Sequence, residues 1–127
     1  MEFGKRLTMA FQPIVDLADH SVFAHEALVR GPRGEAPLRV FTRVASGERH
    51  AFDQQCSLSA IQLAERLRLA DTAANLSINF CPNLIREPFD SVINAFYAAE
   101  HARLPLGRIV LECRDTKSLD VAHTIKV

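Results

Sequence analysis

Three oxygen-bearing side chains interrupt otherwise apolar, strand-like stretches of this 127-residue sequence. Glu26 lies in Val-Phe-Ala-His-Glu-Ala-Leu-Val-Arg, Asn79 in Leu-Ser-Ile-Asn-Phe, and Glu112 in Ile-Val-Leu-Glu-Cys. Because side chains alternate between the two faces of a strand, all three are predicted to point to the face opposite the packed apolar residues. A charge or amide there is costly unless it is paired, hydrogen-bonded or bound to an ion or ligand. Carboxylate and amide oxygens suit Mg²⁺, Mn²⁺ or Ca²⁺, so a hard-cation site is one interpretation of the pattern.

Structural alternatives exist for two of these residues. Arg30 shares the predicted face of Glu26, and an ion pair between them is one interpretation, although their Cα atoms would lie roughly 13 Å apart on a strand. Asn79 can be read as a hydrogen-bonded core amide, but asparagine is disfavoured inside strands. Glu112 is at the carboxyl end of its predicted strand, where α/β barrels place their chemistry. The residues alone leave both interpretations open.

The elements that must position these residues follow from hydrophobic periodicity and breaker residues. A turn at residues 19–21 joins the first two strands, so we expect an antiparallel hairpin. Pro13 inside the first strand favours an edge position or a bulge. After the hairpin, strands and helices alternate, which predicts parallel βα units. The predicted strands cover 8–17, 22–30, 75–80 and 108–113, and the predicted helices cover 37–47, 51–69, 88–101 and a last segment from about 118.

The predicted helix over 51–69 is amphipathic. Asp53, early in this helix, is expected to interact with the helix dipole or the first N–H groups. Cys56 is interpreted as a core residue. The apolar stripe of the helix consists of Phe52, Cys56, Ala60, Leu63 and Leu67.

Composition limits the possible functions. Formal net charge is zero, which argues against a nucleic-acid polymer or an acidic membrane surface as a partner. No apolar run is long enough to cross a membrane, and no signal peptide is evident. The three cysteines are widely spaced, which suits reduced thiols in a cytoplasm, and they lack the spacing of a structural zinc site.

An ordered series of motifs resembles the EAL domain, a family of cyclic di-GMP phosphodiesterases and their non-catalytic, ligand-sensing relatives. The series is Phe-Gln-Pro-Ile-Val-Asp, Glu-Ala-Leu-Val-Arg, Leu-Ser-Ile-Asn-Phe and Ile-Val-Leu-Glu-Cys. It extends over nearly the whole chain but corresponds to the first half of the family's domain. The resemblance implies an α/β, TIM-barrel-like fold truncated to about half a barrel and beginning with an antiparallel strand pair. Residues 1–127 are accordingly interpreted as a single truncated domain.

The resemblance also implies roles for individual residues. Mg²⁺ or Mn²⁺ would be the cofactor, held weakly or not at all by this part of the domain, and cyclic di-GMP would be the ligand. The implied residues are Glu26 in catalysis, Glu26, Asn79 and Glu112 as metal ligands, Gln12 and Arg30 in substrate binding, and Asp115 in supporting a catalytic loop.

The family's later motifs would lie beyond Val127, and these 127 residues contain no Asp-Asp pair. An octahedral cation takes about six ligands, so three side chains supply only part of the set. We therefore expect a cyclic di-GMP signalling domain that does not hydrolyse its ligand efficiently by itself. The alternative is a non-catalytic module that binds cyclic di-GMP or a protein. An open half-barrel would expose strand edges, which predicts self-association or a covering protein partner.

Overall fold

The computed structural model describes residues 7–80, 97 and 99–113. Four strands and two α-helices account for most of this part of the chain. Short 3₁₀ turns lie before and after the longer helix and before the last strand. The elements are β1 (Thr8–Val15), β2 (Val22–Arg30), α1 (Pro37–Phe41), α2 (Arg49–Arg66), β3 (Asn75–Phe80) and β4 (Ile109–Cys113), with 3₁₀ turns at Ser46–Glu48, Leu69–Asp71 and Leu106–Arg108.

The strands form one mixed sheet in the order β1-β2-β3-β4. The hairpin prediction is confirmed, because β1 pairs antiparallel with β2. The β2–β3 and β3–β4 pairs are both parallel, as βα alternation requires. Pro13 lies in β1, an outer strand of the described sheet, and a register irregularity follows at Ile14 and Val15. The outer-strand placement expected for this proline is therefore found within the described sheet, since an outer strand tolerates the missing N–H donor, whereas the irregularity lies after Pro13 and not at it.

One face of the sheet packs against α2 and forms the main core. Leu76 and Ile78 of β3 are buried there with Ala27 of β2. Burial of a leucine or isoleucine side chain contributes roughly 1.5–3 kcal/mol, so this face fixes the orientation of each strand. Once it is fixed, Glu26 and Asn79 must point to the other side. The helix contributes Ala60, Ile61 and Ala64 to this core.

The predicted helix over 37–47 is wrong in its extent. α1 ends at Phe41, and the backbone then tightens, because the N–H groups of Arg43 and Val44 bond carbonyls three residues earlier. The hydroxyl of Thr42 donates to the carbonyl of Arg39 at 3.0 Å, which competes with continued helical bonding.

The predicted extent of the longer helix also needs correction. α2 begins at Arg49, two residues before the predicted start, and ends at Arg66. Arg68 then adopts a left-handed conformation, with φ of 59°. Leu67, placed in the buried stripe from sequence, is consequently 67% exposed because it follows the last helical turn.

Arg108 joins the start of β4 to the turn that precedes β3. Its guanidinium donates to the carbonyls of Ala70 and Leu69, at 3.1 and 3.2 Å, and to that of Ala74. A planar guanidinium suits several acceptors at fixed angles. This contact helps to hold β4 in the register that sets Glu112 beside Asn79.

Several expectations concern residues outside the described ranges. These are the role of Asp115, most of the predicted helix over 88–101, and the last predicted helix. Self-association and a covering partner stay predictions. Within the described ranges, no helix is both long and apolar enough to cross a membrane.

We expect Arg108→Lys to lower the free energy of unfolding by about 1–3 kcal/mol, because a single ammonium cannot satisfy the three carbonyls in the same way. Urea denaturation measures the change. Arg66→Lys is the matched control, since Arg66 is exposed on α2 and should tolerate the same exchange. Equal stability of the two variants would contradict the anchoring role of Arg108.

Candidate functional site

The face of the sheet opposite α2, here called the interior face, carries the predicted chemistry. Gln12 of β1 pairs in register with Glu26 of β2, and Glu26 pairs with Ser77 of β3. Asn79 pairs with Glu112 of β4. Neighbouring strands lie roughly 4.8 Å apart, so paired side chains on one face come within reach of each other. Four strands therefore bring Gln12, Glu26, Ser77, Asn79 and Glu112 onto one surface.

Asn79 is held in one orientation by its amide nitrogen. Nδ2 donates to Oε1 of Glu26 at 3.2 Å and to the carbonyl oxygen of Ala27 at 3.3 Å. The other amide atom, Oδ1, is buried and has no hydrogen-bond partner among the described residues. A buried acceptor without a donor is unfavourable, so an oxygen in this position is suited to a cation or a donor group of a ligand.

Glu112 of β4 is held by Ser77, which lies on the same strand as Asn79. The hydroxyl of Ser77 donates to Oε1 of Glu112. Ser77 is 1% exposed, so water cannot replace this donor readily. One carboxylate oxygen is thereby fixed, and with it the rotamer of the side chain.

The two carboxylates and the amide form a set of oxygen donors suited to a hard divalent cation. Within residues 7–80, 97 and 99–113, no three His, Cys, Asp or Glu side chains cluster closely enough to hold a metal ion. Two acidic residues and one neutral amide are thus what this part of the chain provides. Further ligands would come from water or from a bound anionic ligand.

The two predicted ligand-binding residues lie near this set. Gln12 is exposed and directly opposite Glu26 across the hairpin. Arg30 is half-buried at the end of β2, and its Nη1 donates to the carbonyl of Val29 at 2.8 Å. The guanidinium is therefore partly fixed by its own strand.

A cavity of about 410 Å³ lies between the sheet, α2 and the segment that connects β2 to α2. This volume falls in the range of small-molecule sites, roughly 300–1,000 Å³. Phe41 and Phe52 make an edge-to-face contact in its wall, with ring centroids 5.5 Å apart. Asn79 also lines it, together with Ala27 of β2 and Ala60 of α2. The remaining wall is mostly apolar and includes Met9, Leu28, Pro37, Val44 and Ile78.

Asp53 of α2 contributes an acidic group to this mostly apolar cavity. Its Oδ2 is buried and has no hydrogen-bond partner among the described residues. Burial raises the pKa of Asp53 from 3.8 to about 6, against a smaller opposing effect of His50. Cys56, one turn further along α2, lines the same cavity, and burial together with the Asp53 charge raises its pKa to about 12. Its thiol is therefore protonated and unreactive at neutral pH.

Sequence reasoning missed the roles of Asp53 and Ser77. Asp53 was expected to interact with the helix dipole or the first N–H groups, yet it is the fifth residue of α2 and makes no capping bond. A signal was present, because Asp53, Cys56 and Ala60 lie on one helical stripe, where an acid is out of place. Ser77 gave only the signal of its position two residues before Asn79.

Comparison with known families shows where this arrangement occurs. The sequence profile described as EAL domain matches residues 3–126. The chain belongs to the EAL domain family. No curated protein sequence matches it. The α/β fold with an initial antiparallel strand pair is thereby confirmed.

Solved EAL structures superpose closely on this chain. A standalone versatile EAL protein from Vibrio cholerae O395, in a c-di-GMP-bound form, is 39% identical over 94% of this chain, with a TM-score of 0.83. Klebsiella pneumoniae BlrP1 in a manganese and cyclic di-GMP complex at pH 9.0 is 28% identical over 97%, with a TM-score of 0.84. BlrP1 in a calcium complex is 30% identical over 85%, with a TM-score of 0.76. The chain spans 49%, 31% and 27% of these three proteins' lengths, respectively.

We expect Asp53→Asn to stabilise this EAL chain at pH 7.5 by about 1–3 kcal/mol, because it removes a buried negative charge. The raised pKa means that the folded state binds the proton more tightly than the unfolded state. The cost of the carboxylate is therefore absent below pH 3.8, grows as pH rises to about 6, and is constant above that. Urea unfolding between pH 4.5 and 8 measures the difference between variant and wild type.

Asp19→Asn is the control of opposite sign. Hydrogen bonds from Ser21 lower the pKa of Asp19, so its contribution is lost as pH falls rather than as pH rises. A constant stability difference between Asp53→Asn and wild type over this pH range would show that Asp53 is not buried as described.

Proposed function

We propose that this chain binds a divalent cation, Mg²⁺ or Mn²⁺, together with cyclic di-GMP on the interior face of its sheet. The observation that carries the proposal is the orientation of Asn79. Its amide nitrogen donates hydrogen bonds to Glu26 and to the Ala27 carbonyl, while its buried Oδ1 has no partner among the described residues. Solved relatives that contain cyclic di-GMP with manganese or calcium support the choice of ligand and metal class.

The residues fit a hard cation in charge and in donor type. Glu26 and Glu112 bring two negative charges to the same face of the sheet, one on each side of β3, and a divalent cation between them would be attracted to both. Asn79 adds a neutral oxygen between β2 and β4. When bound, such a cation polarises a phosphodiester and lowers the pKa of a coordinated water. Glu26, Asn79 and Glu112 would hold it, and Gln12 and Arg30 would hold the dinucleotide.

Arg30 suits a phosphate of the ligand. Its bond to the Val29 carbonyl uses one of five N–H donors, and the planar group retains further donors for paired phosphate oxygens. Gln12 is exposed opposite Glu26, where an amide reaches polar groups of a ligand lying over the sheet. These two side chains would orient the ligand relative to the carboxylates.

The cavity beside Asn79 suits one base of the dinucleotide. Aromatic and aliphatic walls accept a planar ring, and the Asp53 carboxylate is a buried acceptor for its polar edge. Guanine presents two adjacent N–H donors on its Watson–Crick edge, whereas adenine presents an acceptor beside a donor. An ionised Asp53 therefore favours guanine over adenine.

Ligand binding and hydrolysis are separated by two measurements made under the same conditions. We propose binding by this chain and expect little hydrolysis from these 127 residues. Incubation with cyclic di-GMP and Mn²⁺, followed by chromatography for the linear dinucleotide, measures hydrolysis. Calorimetric titration under the same conditions measures binding. Binding without turnover would favour a ligand-binding module, and turnover would show that the chain is a phosphodiesterase.

We expect Glu26→Gln, Asn79→Ala and Glu112→Gln each to weaken Mn²⁺ binding at least tenfold, because each removes a charge or a donor from the site. Calorimetry or electron paramagnetic resonance of unbound Mn²⁺ measures the affinity. Glu65→Gln, an exposed carboxylate on α2, is the matched control and should bind as the wild type does. Unchanged affinity in all three site variants would overturn the cation site.

For the base cavity, we expect Asp53→Asn to weaken cyclic di-GMP binding about tenfold or more at pH 7.5, since hydrogen bonds to a charged acceptor contribute roughly 1.5–3 kcal/mol. Wild-type affinity should fall as pH decreases through about 6, where Asp53 becomes protonated, and the variant should not follow this trend. Cyclic di-AMP is the ligand control and should bind weakly to both proteins. Asp71→Asn, on an exposed turn, is the protein control.

A further inference from the structure

Ser77 occupies the middle of the interior face but was not assigned a role in binding the cation or the ligand. It is 1% exposed, and its register partners are Glu26 on one side and Val110 on the other. Its hydroxyl nevertheless donates to Glu112, which is the register partner of Asn79. The hydrogen bond therefore runs diagonally from β3 to β4.

Asn79 makes the opposite diagonal bond. It is in register with Glu112, but its Nδ2 donates to Glu26 on β2. Ser77 and Asn79 of β3 thus bond crosswise: Ser77 bonds Glu112, the register partner of Asn79, and Asn79 bonds Glu26, the register partner of Ser77. As a result, each of the two carboxylates receives one neutral donor from the central strand.

We propose that Ser77 is a positioning residue that fixes the carboxylate of Glu112 for cation binding. The inference rests on the proposed cation site and names a residue that acts through Glu112 without touching the cation itself. A hydroxyl has a single proton, and here that proton is directed at Oε1 of Glu112, which restricts the rotation of the carboxylate and leaves its second oxygen available for a cation.

The burial of Ser77 decides the size of the effect. An exposed serine is replaced by water at little cost, but a donor that is 1% exposed has no such substitute. Without it, Glu112 can change rotamer and the ligand set loses its preorganisation. Loss of an outer hydrogen bond to a metal ligand typically weakens metal binding by roughly 10–100-fold.

Ser77→Ala tests the proposal in the full chain, with Mn²⁺ alone as the probe and calorimetry as the measurement. We expect affinity about 10–100-fold weaker than wild type. Ser59→Ala is the matched control, because Ser59 is also buried but its hydroxyl accepts from Gln55 at 3.2 Å within α2. Ser77→Thr retains the hydroxyl and should recover most of the affinity.

A double-mutant cycle separates positioning from a structural role. If Ser77 acts through Glu112, Ser77→Ala should have little further effect on Mn²⁺ affinity in a Glu112→Gln background. An undiminished effect there would overturn the proposal. If Ser77→Ala does not fold, Ser77→Cys, which keeps the size but has a weak donor, takes its place and should show the same loss.

The failure of this inference is distinguishable from that of the proposed function. Wild-type affinity for Mn²⁺ in Ser77→Ala or Ser77→Cys would show that the positioning role is wrong and leave the cation site standing. A wild-type chain that binds no Mn²⁺ at millimolar concentration would overturn both. Recovery in Ser77→Thr together with non-additivity in the cycle would establish both.

Discussion

The register of three neighbouring strands is the constraint on which the site depends. β3 lies between β2 and β4, and its Ser77 and Asn79 side chains donate to Glu112 on β4 and to Glu26 on β2. A shift of one residue in either pairing would turn Glu26 or Glu112 toward α2 and place a charge in the apolar core. The core that holds Leu76 and Ile78 therefore also determines which oxygens meet on the other face.

The same constraint explains why features remote from the interior face matter. Arg108 anchors the first residues of β4 to carbonyls around the turn before β3, so it supports the strand pairing four residues before Glu112. α2 contributes through small side chains, since Ala60 and Ala64 let the helix approach the sheet closely. The polar side chains of the interior face are few, and the packed elements around them hold their strands in register.

Asp53 lowers the stability of the fold, unlike the residues that hold the strands in register. A buried carboxylate without a hydrogen-bond partner lowers stability at neutral pH, and an apolar residue of similar size would pack better against Phe52 and Cys56. Such local conflicts are expected where a ligand supplies the missing partner. Asp53 and Asn79 both line the cavity, and each has a buried oxygen without a hydrogen-bond partner among the described residues.

The sequence by itself determined the order of the elements, the hairpin, the parallel strands and the face on which Glu26, Asn79 and Glu112 lie. These features follow from two-residue and 3.6-residue periodicities, which are local properties of the chain. The end of α1 and the exposure of Leu67 were predicted wrongly, because helix ends depend on single competing hydrogen bonds. The crossed bonds of Ser77 and Asn79, and the burial that raises the pKa of Asp53, were decided only by the tertiary structure. They depend on distances between residues far apart in the chain, and no local pattern encodes those distances.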